Sequence, residues 1–443
     1  MNRVPDRNDF RSEELTTTIA QCVDAYARRN PASQAQFEKA LAVMPGGNTR
    51  SVLFYEPFPL AIQRGEGCRL WDADGHEYLD FLAEFTAGIY GHTNPVIRAA
   101  IDKALDNGIN LSGHNLLESE LARLICERIP SIERLRFTNS GTEANLLAIA
   151  AAKAHTGRSK VIVFDGAYHG GLLTFVGGNA AVNVPHEFIL APYNDIESCM
   201  RVFKAHAPDV AAVLVEPMQG AAGCIPATAE FIAALRDATV AAGALLIFDE
   251  VMTSRLAAGG RQSQLGVRPD LTTVGKYIGG GISFGAFGGR GDVMALFDPR
   301  RSGGLSHAGT FNNNVITMAA GIAGLGTLYT PQQAVTLNAR GDVMRSRLNT
   351  ICRDQRLALQ FTGLGSLMNL HATDAPIHST ADLRQSDQRI KDLFFFFMLE
   401  QGFYVARRGF IVLSLPIEDV HVERFIASFG AFVDAHGRLL TAC

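Results

Sequence analysis

No two cysteines in this chain stand at CxxC spacing, and no His/Cys cluster has the spacing of a zinc site. The seven cysteines are scattered singly, which reads as reduced thiols in a cytoplasmic protein rather than a disulfide scaffold. Long apolar runs are missing too. None approaches the roughly 18 residues of a membrane-spanning helix, and "DLFFFFMLEQGF" is short and flanked by charge, so it predicts a buried helix. The N-terminal "MNRVPDRNDFRSEEL" lacks the apolar core of a secretory signal. A net charge of -4 supplies no field to draw a polyanion, which argues against nucleic-acid and anionic-membrane partners. Neither the GxxxxGK[ST] loop of nucleotide-phosphate sites nor the GxGxxG dinucleotide fingerprint occurs. A nicotinamide oxidoreductase is excluded on that ground.

What is present is 443 residues, 47% hydrophobic and 19% charged, with 43 glycines. That is the profile of a compact, loop-rich globular protein, too long for one simple core. Residues 15–45 predict an amphipathic helix ending at "MPGG", followed by "LAIQRGEGCRLWDADGHEYLDFLA", an antiparallel meander turned at "GEG" and "DADG". The texture then changes. Helical segments alternate with "RLRF", "KVIVFD", "VAAVLVEP", "ALLIFDE", "LTTVGK" and "FGAFGG", the pattern of an α/β fold whose mostly parallel sheet is covered on both faces. After about residue 330 come two long helical stretches, a "FTGLGSLMNL" strand, "GFIVLSLP" and a final helix. The expected organisation is an N-terminal helix and meander over 1–90, a large domain over 91–330, and a C-terminal part of a smaller α+β domain over 331–443.

Ligands of open α/β sheets bind at the carboxyl ends of the strands, and polar residues cluster there in this chain. "RLRFTNSGTEAN" runs from strand into helix with Ser140, Gly141 and Thr142 at the helix start. Free backbone N–H groups and the helix dipole favour an anion such as phosphate there; a plain N-cap is the simpler reading. "ALLIFDEVMTSR" ends an apolar strand with Asp249 and Glu250. Carboxylates there are capping, ion-paired, metal-bound or catalytic. Lys276 lies in the glycine-rich "VGKYIGGG", with no other lysine for dozens of residues on either side. It follows Asp249 by 27 residues (276 − 249), room for one helical crossover. An anion nest, a strand-end Asp and an isolated Lys converge on pyridoxal 5'-phosphate, which needs a phosphate site, a carboxylate at the pyridine nitrogen and a lysine for the Schiff base.

Taken in order, "GEGCRLWDADGHEYLDFLAEFTAGIYGH", "TNSGTEAN", "YHGG", "VEPMQG", "IFDEVMTSR", "GKYIGGGISFGAFGG" and "HAGTFNNN" resemble the class III aminotransferases of pyridoxal-phosphate fold type I. "MPGGNTRSVLFYEPFPLAIQRGEG", "NLSGHNLLE" and "RGFIVLSLP" resemble the β-amino-acid (β-phenylalanine) aminotransferase branch, with glutamate-1-semialdehyde aminomutase as its neighbour. The resemblance implies a seven-stranded sheet and a smaller domain built from both termini. It implies that Lys276 forms the Schiff base and shuttles the proton between the alpha carbon and the cofactor, while Asp249 pairs with the pyridinium. Gly141 and Thr142, with Ser140, hold the phosphate. Tyr168 stacks on the ring, Met252 lies against its other side, and Glu216 and Gln219 line the site. Thr310 binds the phosphate of the neighbouring subunit, making the active unit a homodimer; the motif ends in Asn314-Val315 where the family pattern has Asn-Pro. Read singly, Tyr168 is an ordinary strand-end aromatic as readily as a stacking residue, and His169 and His114 are structural more often than basic.

Two arginines suit carboxylate-bearing substrates, because a guanidinium fork matches carboxylate bidentately. Arg50 in "GGNTRSVLF" and Arg408 in "YVARRGFIVL" are the candidates; solvated surface charge is the plainer alternative for each. The resemblance implies that Arg50 binds the β-carboxylate of the amine donor and Arg408 the α-carboxylate of a 2-oxo acid, 2-oxoglutarate or pyruvate. Arg407 beside it is expected to face outward. An aminomutase and an ω-amine transaminase are the alternative activities.

Overall fold

The computed structural model describes residues 7–441. It opens with two helices, Arg7–Arg29 and Pro31–Leu41, where the sequence suggested one stretch over 15–45. Pro31 makes the break: it supplies no N–H and displaces Asn30 to φ -124°, ψ 50°, so the second helix starts on the proline. The meander follows as predicted, with antiparallel strands Ile62–Glu66, Arg69–Asp72 and Glu77–Asp80. Its last strand also pairs, in parallel, with Phe403–Tyr404 from the far end of the chain.

That pairing joins the two ends of the chain around one apolar cluster. The "FFFF" run is a buried helix, Arg389–Glu400, as expected. Its consecutive rings point different ways. Phe395 meets Tyr55 edge-on at 4.7 Å between centroids, whereas Phe394 meets Phe432 of the last helix, Asp419–Leu440, at 5.5 Å. Each buried ring contributes roughly 1.5–3 kcal/mol. "FTGLGSLMNL" is a hairpin, not one strand. Gln360–Leu364 turns through Gly365, at φ +52°, into Leu367–His371, a left-handed conformation that glycine adopts without steric cost. Phe410–Val412 adds the third strand.

The large sheet has seven strands in the order Arg134–Thr138, Gly285–Gly289, Leu271–Gly275, Leu245–Asp249, Val210–Val215, Lys160–Phe164, Glu187–Ala191. Only Gly285–Gly289 runs antiparallel to its neighbours. The strand missed in the apolar pattern is Glu187–Ala191. It lies at the sheet edge and is half-exposed, so it is not a continuous apolar run. Since the other six strands are parallel, Thr138, Phe164, Val215, Asp249 and Gly275 all end on one edge of the sheet. That edge carries the site.

The helix Gly141–Thr156 buries Ala144, Ala148, Ala151 and Ala152 along with Ile149, and the four alanines permit a close approach to the sheet. Its start is positioned by the antiparallel strand. A Cβ on Gly285 would lie 2.1 Å from the Ser140 carbonyl oxygen and 2.4 Å from Thr138 Oγ1. Backbone on one side leaves no room to yield. Gly285→Ala is therefore expected to cost about 1–3 kcal/mol by overpacking, read as a lowered unfolding temperature together with weakened phosphate-group binding in the apoprotein.

Candidate active site

Asp249 ends the central strand, 4% exposed. Asn145 Nδ2 donates to its Oδ2 at 2.8 Å, the Val251 N–H donates to Oδ1 at 3.0 Å, and His169 Nδ1 lies 2.8 Å from Oδ2. An ionised carboxylate only accepts, so His169 is the donor of that pair. Asn145 is itself fixed: Thr273 Oγ1 donates to its Oδ1 at 2.7 Å, and its amide donates to the His169 carbonyl at 3.0 Å. His169 thus orients the key carboxylate. His114, by contrast, is exposed, 3.8 Å from Glu118, and joins no part of the site.

Lys276 follows Gly275 at the end of the adjacent strand and holds φ +56°, a conformation rare for a side chain with a Cβ. Burial pushes its ammonium down to about 8, against the opposing pull of Asp249 and Glu216. Glu216 is buried, accepts from the Tyr168 and Gly220 N–H groups at 3.0 and 3.1 Å, and is pushed up to about 7 by desolvation. Gln219 is fully buried with its Nε2 on the Asp165 carbonyl at 2.8 Å. Met252 packs its Sδ onto Gly220, where a Cβ would lie 2.6 Å from it. Tyr168 is 47% exposed and its phenol acts electrostatically on Arg408.

At the helix start Ser140 is the N-cap, its Oγ accepting from Glu143 N at 3.2 Å. Capping leaves the first-turn N–H groups of Gly141 and Thr142 without intrahelical partners. Thr142 Oγ1 accepts from Gly171 N at 3.3 Å, and a Cβ on Gly170 would fall 2.0 Å from that oxygen. Nest, carboxylate and lysine therefore share one edge, and the residues present fit pyridoxal phosphate. Glu250 has a different task. It accepts from Arg261 N at 2.7 Å, Gln262 N at 3.0 Å and Thr253 Oγ1 at 3.1 Å, capping the next short helix. Among the described residues no group of three or more His, Cys, Asp or Glu could hold a metal.

The two arginines meet at Phe85. The Arg50 guanidinium carbon lies 5.4 Å from its ring centroid and that of Arg408 5.3 Å. Phe85 also stacks on Phe410 at 6.2 Å and 15°. Arg407 is committed elsewhere, bidentate to Asp392 at 2.6 and 2.9 Å. Arg50 makes an ion pair with Glu84. Glu84 and Phe85 sit in a run of four non-glycine residues with positive φ, Ala83 to Thr86, each costing on the order of 1–2 kcal/mol. Asp80 braces the turn, accepting from Leu82 N and Ala83 N at 2.9 Å each. Nothing in "LAEFTAG" announces that turn, so Glu84 and Phe85 went unread. Asn145 was legible in principle, as an amide buried within an alanine-rich helix. Thr310 is exposed, on the loop before the helix Val315–Ala323, which Asn314 caps by accepting from Thr317 N at 2.9 Å.

This arrangement defines a lysine-based cofactor site on a parallel-sheet edge, and similarity to known proteins narrows it. Residues 54–430 match the family model for "Aminotransferase class-III". The chain is 58% identical over 420 residues to the β-phenylalanine transaminase of Variovorax paradoxus, covering 94% of this chain and 96% of that one. It is 36% identical over 421 residues to the glutamate-1-semialdehyde 2,1-aminomutase of Desulforamulus reducens, covering 90% and 97%. The crystal structure of a β-phenylalanine aminotransferase from Variovorax paradoxus superposes with a TM-score of 0.96 at 56% identity, covering 97% and 100%. A transaminase with bound pyridoxal phosphate superposes at 0.84 with 33% identity, covering 93% and 98%. The chain belongs to the class III aminotransferases, and pyridoxal phosphate is its cofactor.

The field around Lys276 has a readable consequence. In the apoprotein its amine is protonated below, and nucleophilic above, a pH near 8. The rate of condensation with added pyridoxal phosphate is expected to rise through that pH. Glu216 carries negative charge there and holds the ammonium up, so Glu216→Gln should move the midpoint downward. An unchanged or raised midpoint, followed by the growth of the visible absorption band, contradicts this assignment.

Proposed function

We propose that the enzyme moves the amino group of an aromatic β-amino acid, such as 3-amino-3-phenylpropanoate, to a 2-oxo acid, 2-oxoglutarate or pyruvate, in a ping-pong cycle. The observation that carries this reading is the pair of guanidinium groups around one apolar ring, Arg50 and Arg408 at Phe85. A substrate with one carboxylate and a bulky apolar group needs a fork beside an aromatic wall. Two forks serve two substrates that occupy the site in turn. The 58% identity to an enzyme that bears the name β-phenylalanine transaminase supports the same donor class.

Bound pyridoxal phosphate supplies an electrophilic carbonyl and an electron sink for a carbanion at the amine-bearing carbon. The chain does the rest. Asp249 would face the pyridine nitrogen with its carboxylate, which Asn145 and His169 hold in place. Such preorganised charge lowers the barrier because nothing reorients during the reaction. Lys276, with its depressed basicity, accepts the proton from the amine-bearing carbon and returns it. Gly141 and Thr142 would hold the phosphate with Ser140, Tyr168 and Met252 would lie on either side of the ring, and Glu216 and Gln219 would line the site. Arg50 takes the donor carboxylate in competition with Glu84, and Arg408 takes the acceptor's α-carboxylate. Exposed Thr310 fits a role across a homodimer interface, on the phosphate of the neighbouring subunit. Six described cysteines are unpaired, in keeping with a cytoplasmic enzyme.

Replacing a fork removes charge-assisted hydrogen bonds worth about 1.5–3 kcal/mol, a roughly 10- to 100-fold change. Arg50→Ala is expected to raise KM for 3-amino-3-phenylpropanoate by that factor while cofactor absorbance stays as in the parent. Arg408→Ala should weaken the 2-oxo acid half-reaction more than the donor half-reaction. Steady-state kinetics of both halves decide the matter, and a donor that fails to bleach the visible band in the parent enzyme refutes the donor class.

A further inference from the structure

Directly after Lys276 the chain buries a second polar cluster that amino transfer does not use. Tyr277 packs edge-on against Tyr329 at 5.3 Å. The Arg128 guanidinium carbon lies 5.2 Å from the Tyr329 ring centroid, and its Nη1 donates to the Tyr329 carbonyl at 2.6 Å. Tyr329 Oη donates to the Arg255 carbonyl, which Asn338 Nδ2 also reaches at 2.9 Å. The Arg255 side chain is completely buried, with one N–H on the Leu413 carbonyl. Tyr90 closes the group: Arg128 and Arg255 act electrostatically on its hydroxyl and on that of Tyr277, beside Ser254.

These side chains share one defect. Arg128 Nε and Nη2, Arg255 Nε and Nη1, Tyr90 Oη, Tyr277 Oη and Ser254 Oγ are buried without a hydrogen-bond partner beyond the group itself, within which Ser254 and the Tyr277 hydroxyl reach one another. They are seven of the seventeen such atoms among the described residues, so the shortfall is concentrated in one place. The groups that act on Arg255 are Tyr329, Tyr277 and Tyr90, with no carboxylate among them. A guanidinium cannot shed its proton at any ordinary pH, and an unpaired buried ion costs several kcal/mol. Water satisfies donors but leaves the buried Arg255 charge unbalanced. The cluster is also tight: a Cβ on Gly324 would fall 2.5 Å from Tyr90 Oη.

We propose that Arg128, Arg255, Tyr90, Tyr277 and Ser254 form a binding site for a small monovalent inorganic anion, of which chloride is the natural size. A halide takes several N–H and O–H donors at once and balances guanidinium charge in little volume. Occupancy reaches the chemistry as well. Arg255 is one of the charges that depress the basicity of Lys276, so an anion beside it makes the catalytic amine more basic.

The test uses the holoenzyme. Crystals grown in sodium bromide are expected to show an anomalous peak within hydrogen-bond reach of Arg255 Nη1 and Tyr277 Oη. In solution, bromide or chloride titrated against gluconate at constant ionic strength should raise the unfolding temperature saturably. Ser254→Ala and Tyr277→Phe each remove one donor with little change of shape and should weaken the halide midpoint about fivefold. Three results would overturn the site. They are ordered water alone in the cluster, no saturable halide effect, and a halide effect identical in the parent and both variants. The last would move the ion to another site, such as Arg50 or Arg408.

Discussion

The buried ionised carboxylate of Asp249 constrains the structure around it more than any other group. A charge at the end of a fully buried strand persists only if its lone pairs are matched, and three donors match them: Asn145, His169 and Val251 N–H. Each comes from a different segment. Asn145 lies one turn into the helix that opens at Gly141, His169 follows the parallel strand Lys160–Phe164 two places along the sheet, and Val251 belongs to the turn after Asp249 itself. Satisfying one carboxylate therefore locks helix, strand end and turn into the register that also brings Thr142 against Gly170. Removing any donor leaves a buried charge short of partners, which costs more than the hydrogen bond was worth.

Lys276 is the complementary case. It is disfavoured twice, by burial and by a positive φ, and both penalties fall on a residue whose proposed role needs a neutral, well-aimed amine. Glu216 is displaced in the opposite sense. A base made weaker and an acid made weaker in one pocket bring both titrations close to neutral pH, where proton transfer has the smallest mismatch. The left-handed turn of Ala83–Thr86 stores strain of the same kind on the substrate side. Asp80 holds it, and its product is a ring and a carboxylate set among two arginines.

Much of the catalytic layout was legible because each part has its own local signature. The six apolar runs marked strands, and the isolated Lys276 and strand-end Asp249 stood out as charges in apolar company. Ser140-Gly141-Thr142 sat where a strand turns into a helix. Nothing local in the sequence distinguishes Arg407 from Arg408, and only the resemblance set Arg407 outward. Packing separated them, by giving Arg407 to Asp392 and leaving Arg408 over Phe85. Edge strand Glu187–Ala191 escaped because half of it faces solvent, and the Gly365 hairpin because a turn between two apolar strands preserves the hydrophobic run.

Local covalent preference and hydrophobic period are properties of neighbouring residues, and so the sequence by itself determined the parallel sheet, the buried phenylalanine helix, the isolated Lys276 and the strand-end Asp249. The pairing of Arg50 with Glu84, the meeting of both arginines at Phe85, the orienting role of His169 and the donor cluster behind Tyr277 were decided by tertiary structure alone. Those contacts join residues tens to hundreds of positions apart. Their energies depend on which distant groups the fold brings together and on how far it desolvates them, which no short window of the chain encodes.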